Sequence, residues 1–106
     1  MLWLRYYFDD EDTLMYYELD EDGYARRQVD LQGAERRPVT AATLEEVLHA
    51  RDHGGFDAVV AYESKYGVLA EGTLDGWRDV DQVVEISSTE FENAWEPARR
   101  ALDQSQ

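Results

Sequence analysis

Residues 14–31 (LMYYELDEDGYARRQVDL) constrain the fold more than any other stretch, because they form a β-hairpin in one defensible register. Pairing Met15, Tyr17 and Leu19 with Val29, Arg27 and Ala25 leaves a three-residue loop, Glu21-Asp22-Gly23, in which Gly23 is free to take a positive φ. A two-residue Asp-Gly loop would slip the pairing by one and set apolar side chains against the polar face of the partner strand. In the three-residue register Tyr16 faces Gln28, Glu18 faces Arg26 and Asp20 faces Tyr24. One face of the hairpin then reads as core, and the other as an aromatic and arginine surface.

Residues 2–8 add a strand in front of the hairpin. Leu2, Leu4, Tyr6 and Phe8 make its apolar face, and Trp3, Arg5 and Tyr7 the other. Asp9-Asp10-Glu11-Asp12 is a solvated turn between the two, which completes a three-stranded antiparallel meander. Residues 32–40 (QGAERRPVT) read as loop, broken by Gly33 and Pro38.

Helices follow. Thr43 with Glu46 is a capping box that opens a helix with Leu44, Val47 and Leu48 on its apolar face, ending at Gly54-Gly55. Residues 56–66 read as a second helix, with Asp57 in its first turn, Lys65 in its last and Gly67 beyond. A buried strand at residues 58–62 competes for this segment, since a Val-Val run suits either state. The third helix starts from Ser87 as N-cap, with Glu90 at the third helical position and Ile86 stapled onto Phe91. Phe91, Ala94, Trp95, Ala98 and Leu102 form one stripe, and Pro97 is expected to kink or restart the helix. Residues 67–86 read as loop with a short edge strand near residues 83–86. The expected architecture is therefore a single α+β domain over 1–106: a three-stranded antiparallel meander packed with two or three helices. Its expected core is Leu2, Leu4, Phe8, Met15, Leu19, Val29, Leu31, Leu44, Val47, Leu48, Val59, Val60, Phe91 and Trp95.

Charge and composition narrow the function classes. The chain has 106 residues, enough for one hydrophobic core without staples, and its 43% hydrophobic content is that of a globular protein. With no cysteine, it has no disulfide, iron–sulfur cluster, thiolate zinc site or cysteine nucleophile. The opening MLWLRYYF is too short and too interrupted for a signal-peptide core or membrane span, so the expected compartment is the cytoplasm. The net charge is −14, with eight acids against one arginine in residues 1–24 and four arginines against two acids in residues 25–38. Such a field repels nucleic acid and anionic membrane and favours a basic partner. The plainer reading is that the acids keep a small protein soluble.

Two sets of side chains are candidates for a site. Trp3, Arg5, Tyr7, Tyr16, Tyr24 and Arg26 share the outer sheet face and have the composition of a protein-binding surface. That reading requires the face to be open, neither covered by the chain's own helices nor closed in a homodimer. His49 and His53, four apart on the first helix, have metal-ligand spacing, with Glu45, Glu46 or Asp57 as oxygen donors. Histidines at a helix C-terminus also favour the dipole and often have no other task. The acidic loops at 9–12 and 20–22 sit at opposite ends of one strand, roughly 25 Å apart, and share no ion. No nucleophile elbow, phosphate loop or dinucleotide fingerprint is present, and no cofactor is implied.

Four segments, YYELDEDGYARRQVDL, RPVTAATLEEVLHARD, AYESKYGVLAEG and EISSTEFENAWEPAR, together span most of the chain. In them the sequence resembles a family of small, acidic, functionally uncharacterised bacterial proteins. The resemblance implies no activity, cofactor or catalytic residue; some similar small acidic proteins occur as immunity or antitoxin partners of toxins. The leading expectation is a non-catalytic protein-binding module, an inhibitor or immunity protein for a basic partner being one version. The alternatives are a small metal- or ligand-dependent enzyme around His49 and His53, and an acidic DNA mimic with carboxylates aligned along one face.

Overall fold

The computed structural model of the chain describes residues 1–104. Its strands are β1 (Leu2–Phe8), β2 (Thr13–Leu19), β3 (Ala25–Gln32), β4 (Arg37–Thr43) and β5 (Val83–Ile86), and its helices are α1 (Leu44–Tyr66) and α2 (Ser88–Gln104). The strands form one antiparallel sheet in the order β4-β3-β2-β1-β5. The fold is α+β, as expected, and the meander β1-β2-β3 is its centre. The sheet is wider by a strand on each edge. β5 occupies the place anticipated for a short edge strand. β4 corrects the reading of residues 32–40 as loop: Gly33 and Arg36 shape a tight turn, after which Pro38 is tolerated because its strand lies at the sheet edge.

The hairpin register holds only beside the loop. Leu19 pairs with Ala25, Asp20 and Tyr24 join through their backbones, and Gly23 adopts a φ of 88°. Between Glu18 and Leu19 the register shifts, because Arg26 is an extra residue in β3, so that Glu18 pairs with Arg27, Tyr17 with Gln28 and Tyr16 with Val29. The expected pairs of Met15 with Val29, Tyr16 with Gln28, Tyr17 with Arg27 and Glu18 with Arg26 are thereby corrected. A bulge of this kind exchanges the faces of everything beyond it. Val29 moves to the face of Tyr16, while Gln28 and Asp30 move to the face of Tyr17.

α1 is two helices folded back on each other at Gly55, whose φ of 69° and ψ of −157° belong to glycine alone. In a straight helix Thr43 and Tyr62 would stand about 28 Å apart. Here the Thr43 amide donates to the Tyr62 hydroxyl at 2.9 Å, so the second arm returns to the start of the first. Residues 56–66 are thus helical, and the competing strand is not formed. The Thr43 hydroxyl accepts from the Glu46 amide at 3.0 Å, and the Glu46 carboxylate accepts from Tyr62 at 2.6 Å. The capping box is present with a tyrosine hydroxyl inserted into it.

Two cores lie on opposite faces of the sheet. On one, Leu4, Leu19, Ala25, Ala42 and Leu69 are buried under Leu44, Tyr62 and Tyr66 of α1 and under Leu74 and Trp77 of the following segment. On the other, Val29, Ala41, Phe91 and Ala98 are buried between the sheet and α2. The adjacent alanines Ala41 and Ala42 serve one core each. Ser87 accepts from the Glu90 amide at 3.1 Å, and Ile86 and Phe91 share one cluster, as the staple requires. α2 runs through Pro97 as one helix, without the restart that is one of the two expected outcomes. Pro97 and Asn93, the residue whose carbonyl proline leaves without a donor, are both exposed. Val60, expected in the core, is 43% exposed on the outer side of the helical pair.

Candidate functional site

The aromatic and arginine face expected to be open carries α2. Trp3 and Tyr16 pack into the cluster of Val29, Phe91 and Ala98, and Arg5 is ion-paired to Glu90 in the first turn of the helix. The Trp3 indole donates to Glu18 at 2.9 Å. Glu18 accepts two hydrogen bonds from Arg27, at 2.9 and 2.8 Å, and Arg27 reaches on to Glu92 of α2. The Arg27 guanidinium also lies 4.8 Å from the Phe91 ring centre and 5.0 Å from that of Trp95. These bonds from Arg27, with that from Trp3, hold the Glu18 carboxyl below the usual range in spite of its burial. The face is a fastening, not an open plane.

The remaining predicted binding residues stand elsewhere. Tyr7 donates to Asp12 at 2.8 Å and lies beneath the Arg36 guanidinium. Tyr24 is 46% exposed at the hairpin loop, bridged to Thr73, and Arg26 is the bulge residue, 4.0 Å from Asp20. Trp3, Arg5 and Tyr16 are thus brought together under α2, while Tyr7, Tyr24 and Arg26 are not part of that group. His49 and His53 are both exposed, their rings stacked 4.1 Å apart, with His53 Nδ1 3.1 Å from the His49 carbonyl. Among the described residues no three His, Asp or Glu side chains gather to hold a metal ion, and no helix is long and apolar enough to cross a membrane.

The opposite face is only half covered. α1 packs on β4 and β3. Over β1, β2 and β5 residues 73–80 form part of the cover, and a groove of about 360 Å³ remains, lined by Leu4, Tyr6, Tyr17, Leu74, Trp77, Val80 and Val83. The stacked rings of Tyr6 and Phe8 extend the apolar surface along β1, and Tyr17 donates to the Met15 sulfur at 3.7 Å.

One contact fixes the wall of this groove, and a second fixes the chain just before it. The Leu74 amide donates to the Gly23 carbonyl at 2.9 Å, fastening the wall to the hairpin loop. The Ala70 amide donates to Gln28 Oε1 at 2.8 Å, and the Gln28 amide nitrogen donates to both oxygens of Asp30 at 3.1 Å. Asp30 is 8% exposed with no ion-pair partner among the described residues, and burial pushes its carboxyl above the usual range against the bonds from Gln28 and Thr40. Burial, and then Asp30, raise the Tyr17 phenol as well. The bulge at Arg26 therefore has a local consequence: it turns Gln28 towards Ala70, on the stretch that leads into the groove wall.

A second hollow, about 400 Å³, adjoins the first and shares Trp77 with it. Its lining carries four carboxylates, Asp20, Glu21, Asp22 and Asp75, against Arg78 and the amino group of Met1, with Leu2 and Leu19 beside them. Leu74, Trp77 and Val80 were missed by reading residues 67–82 as plain loop. Their regular spacing of three is a sequence signal of a seated segment. Neither a protein-family model, nor a curated protein, nor a solved structure matches this chain.

Proposed function

We propose that this chain is a non-catalytic cytosolic protein that binds a basic protein partner, an inhibitor or immunity protein for a basic toxin being its concrete form. The observation that supports the reading most is the disposition of charge. Eight of the 24 carboxylates have a cationic partner within 4 Å among the described residues, while the other sixteen have none. Six of the ten bases are held in those same ion pairs, so the outward field is strongly negative. Such a field accelerates encounter with a positive surface, and an apolar anchor then supplies the affinity.

The test is capture on the immobilised chain from a lysate of the source cell, followed by association kinetics of the purified partner. The expected partner is basic, and its association rate constant falls at least tenfold between about 0.05 and 0.5 M salt, as screening shortens the reach of exposed charges. A partner whose association ignores salt would remove the electrostatic reading.

A further inference from the structure

We propose that the groove beside Trp77 seats an aliphatic or aromatic side chain from a lysine- or arginine-bearing segment of the partner, whose cations fall on Glu21, Asp22 and Asp75 in the adjoining hollow. This rests on the reading of the chain as a binder of basic protein, and it names where and by what chemistry the binding occurs. Three observations carry it.

The groove is apolar at its base and open at its mouth. Leu4 is 1% exposed at the floor, whereas Val80 at the rim is 47% exposed. An exposed apolar rim around an aromatic-walled hollow is what an anchoring side chain fills.

The charge around it has one sign. Residues 71–85, which wall the groove and lead into β5, carry Glu71, Asp75, Asp79, Asp81 and Glu85, all exposed, against Arg78 alone. The Arg78 guanidinium lies 4.5 Å from the Trp77 ring centre. The hairpin loop adds Glu21 and Asp22, which have no ion-pair partner among the described residues. Asp20, by contrast, is occupied by the amides of Asp22 and Tyr24 at 2.9 and 3.0 Å.

The apolar and acidic hollows share one indole. A ligand with a cation next to an apolar side chain can fill both at once, whereas a purely apolar or purely cationic one fills half. The larger hollow of about 510 Å³ between the arms of α1 and the start of β3 has no such bias, because Arg26 and Arg51 stand there among Asp20, Glu63 and Glu71. Repulsion between two copies of charge −14 also disfavours a second copy of the chain as the occupant.

Three synthetic peptides test this by NMR titration of the full chain: Lys-Lys-Ser-Leu-Ser-Lys-Lys, the same with alanine for leucine, and the leucine peptide with glutamates for lysines. The leucine–lysine peptide is expected to bind at least tenfold more tightly than the alanine one, the difference a buried leucine makes, and to move the Trp77 indole resonance. Trp77→Ala and Val80→Ser each remove that preference, and Val80→Ser changes an exposed residue that the fold does not need. Phe56→Ser, at an 80% exposed site on the bend of α1, leaves it unchanged. Equal binding of the leucine and alanine peptides overturns the groove while sparing the acidic field. Equal binding of the glutamate peptide overturns the cationic partner while sparing the groove. No binding of either lysine peptide at low salt overturns both.

Discussion

Replacing Arg27 with alanine is expected to destabilise the fold by about 3 kcal/mol, near the lower end of what breaking a buried ion pair costs. The side chains of Arg27 and Glu18 are 21% and 11% exposed, so solvent screens them a little. Among the described residues Arg27 is the one cation bonded to Glu18, and its loss leaves a largely buried carboxylate with only the Trp3 indole as donor. Glu92 loses its partner at the same time, and the Phe91 and Trp95 rings lose the guanidinium between them and the sheet. All these contacts fasten α2, so that helix should loosen first. Denaturation by urea measures the loss. The double variant Arg27→Met with Glu18→Gln should recover part of it, because no uncompensated charge remains and the glutamine oxygen can still accept from Trp3. A single variant as stable as the parent would show that α2 is held by apolar packing alone.

Gly67→Ala is expected to cost about 3 kcal/mol or more, from two sources that act together. Gly67 has a φ of 84°, where a side chain is strained. A Cβ at this position would also stand 2.3 Å from Thr40 Oγ1, 2.7 Å from its Cβ and 2.8 Å from its Cα. The last of these is backbone, so no change of rotamer relieves it. The chain must lift away from β4, drawing Leu69 out of its core and the Ala70 amide away from Gln28. Thr40→Ala in the same protein should rescue little, because it removes only the Oγ1 contact. The denaturation midpoint checks both; an unchanged midpoint in Gly67→Ala would mean that the close approach to β4 is not formed.

What could be read from the chain was local. Thr43 with Glu46, Ser87 with Glu90, and the Gly54-Gly55 break act through hydrogen bonds or dihedrals within a few residues, and each is present in the structure. What could not be read was pairing at a distance. A single extra residue at Arg26 exchanged the faces of the hairpin, and nothing in its own chemistry marks it as a bulge. The faces of β1 were also ambiguous for a physical reason. LWLRYYF has apolar or aromatic side chains on both sides because both sides are covered, one by α2 and the other in part by residues 73–80. Near-continuous apolar strands are the mark of a sheet buried on two faces. Trp3 and Tyr16, expected to face a partner, are therefore packed against the chain's own helix, while the open apolar hollow formed on the side expected to be closed.

Hydrogen exchange at the indole nitrogens decides between those two sides. The Trp3 N–H is donated to Glu18 beneath α2, whereas Trp77 has no protein acceptor among the described residues and borders both hollows. The Trp3 proton should exchange at least a hundredfold more slowly than that of Trp77, as expected where exposure requires a structural opening. Equal, rapid exchange at both would mean that the helix does not seal the aromatic face, and would return the binding surface to Trp3, Arg5 and Tyr16.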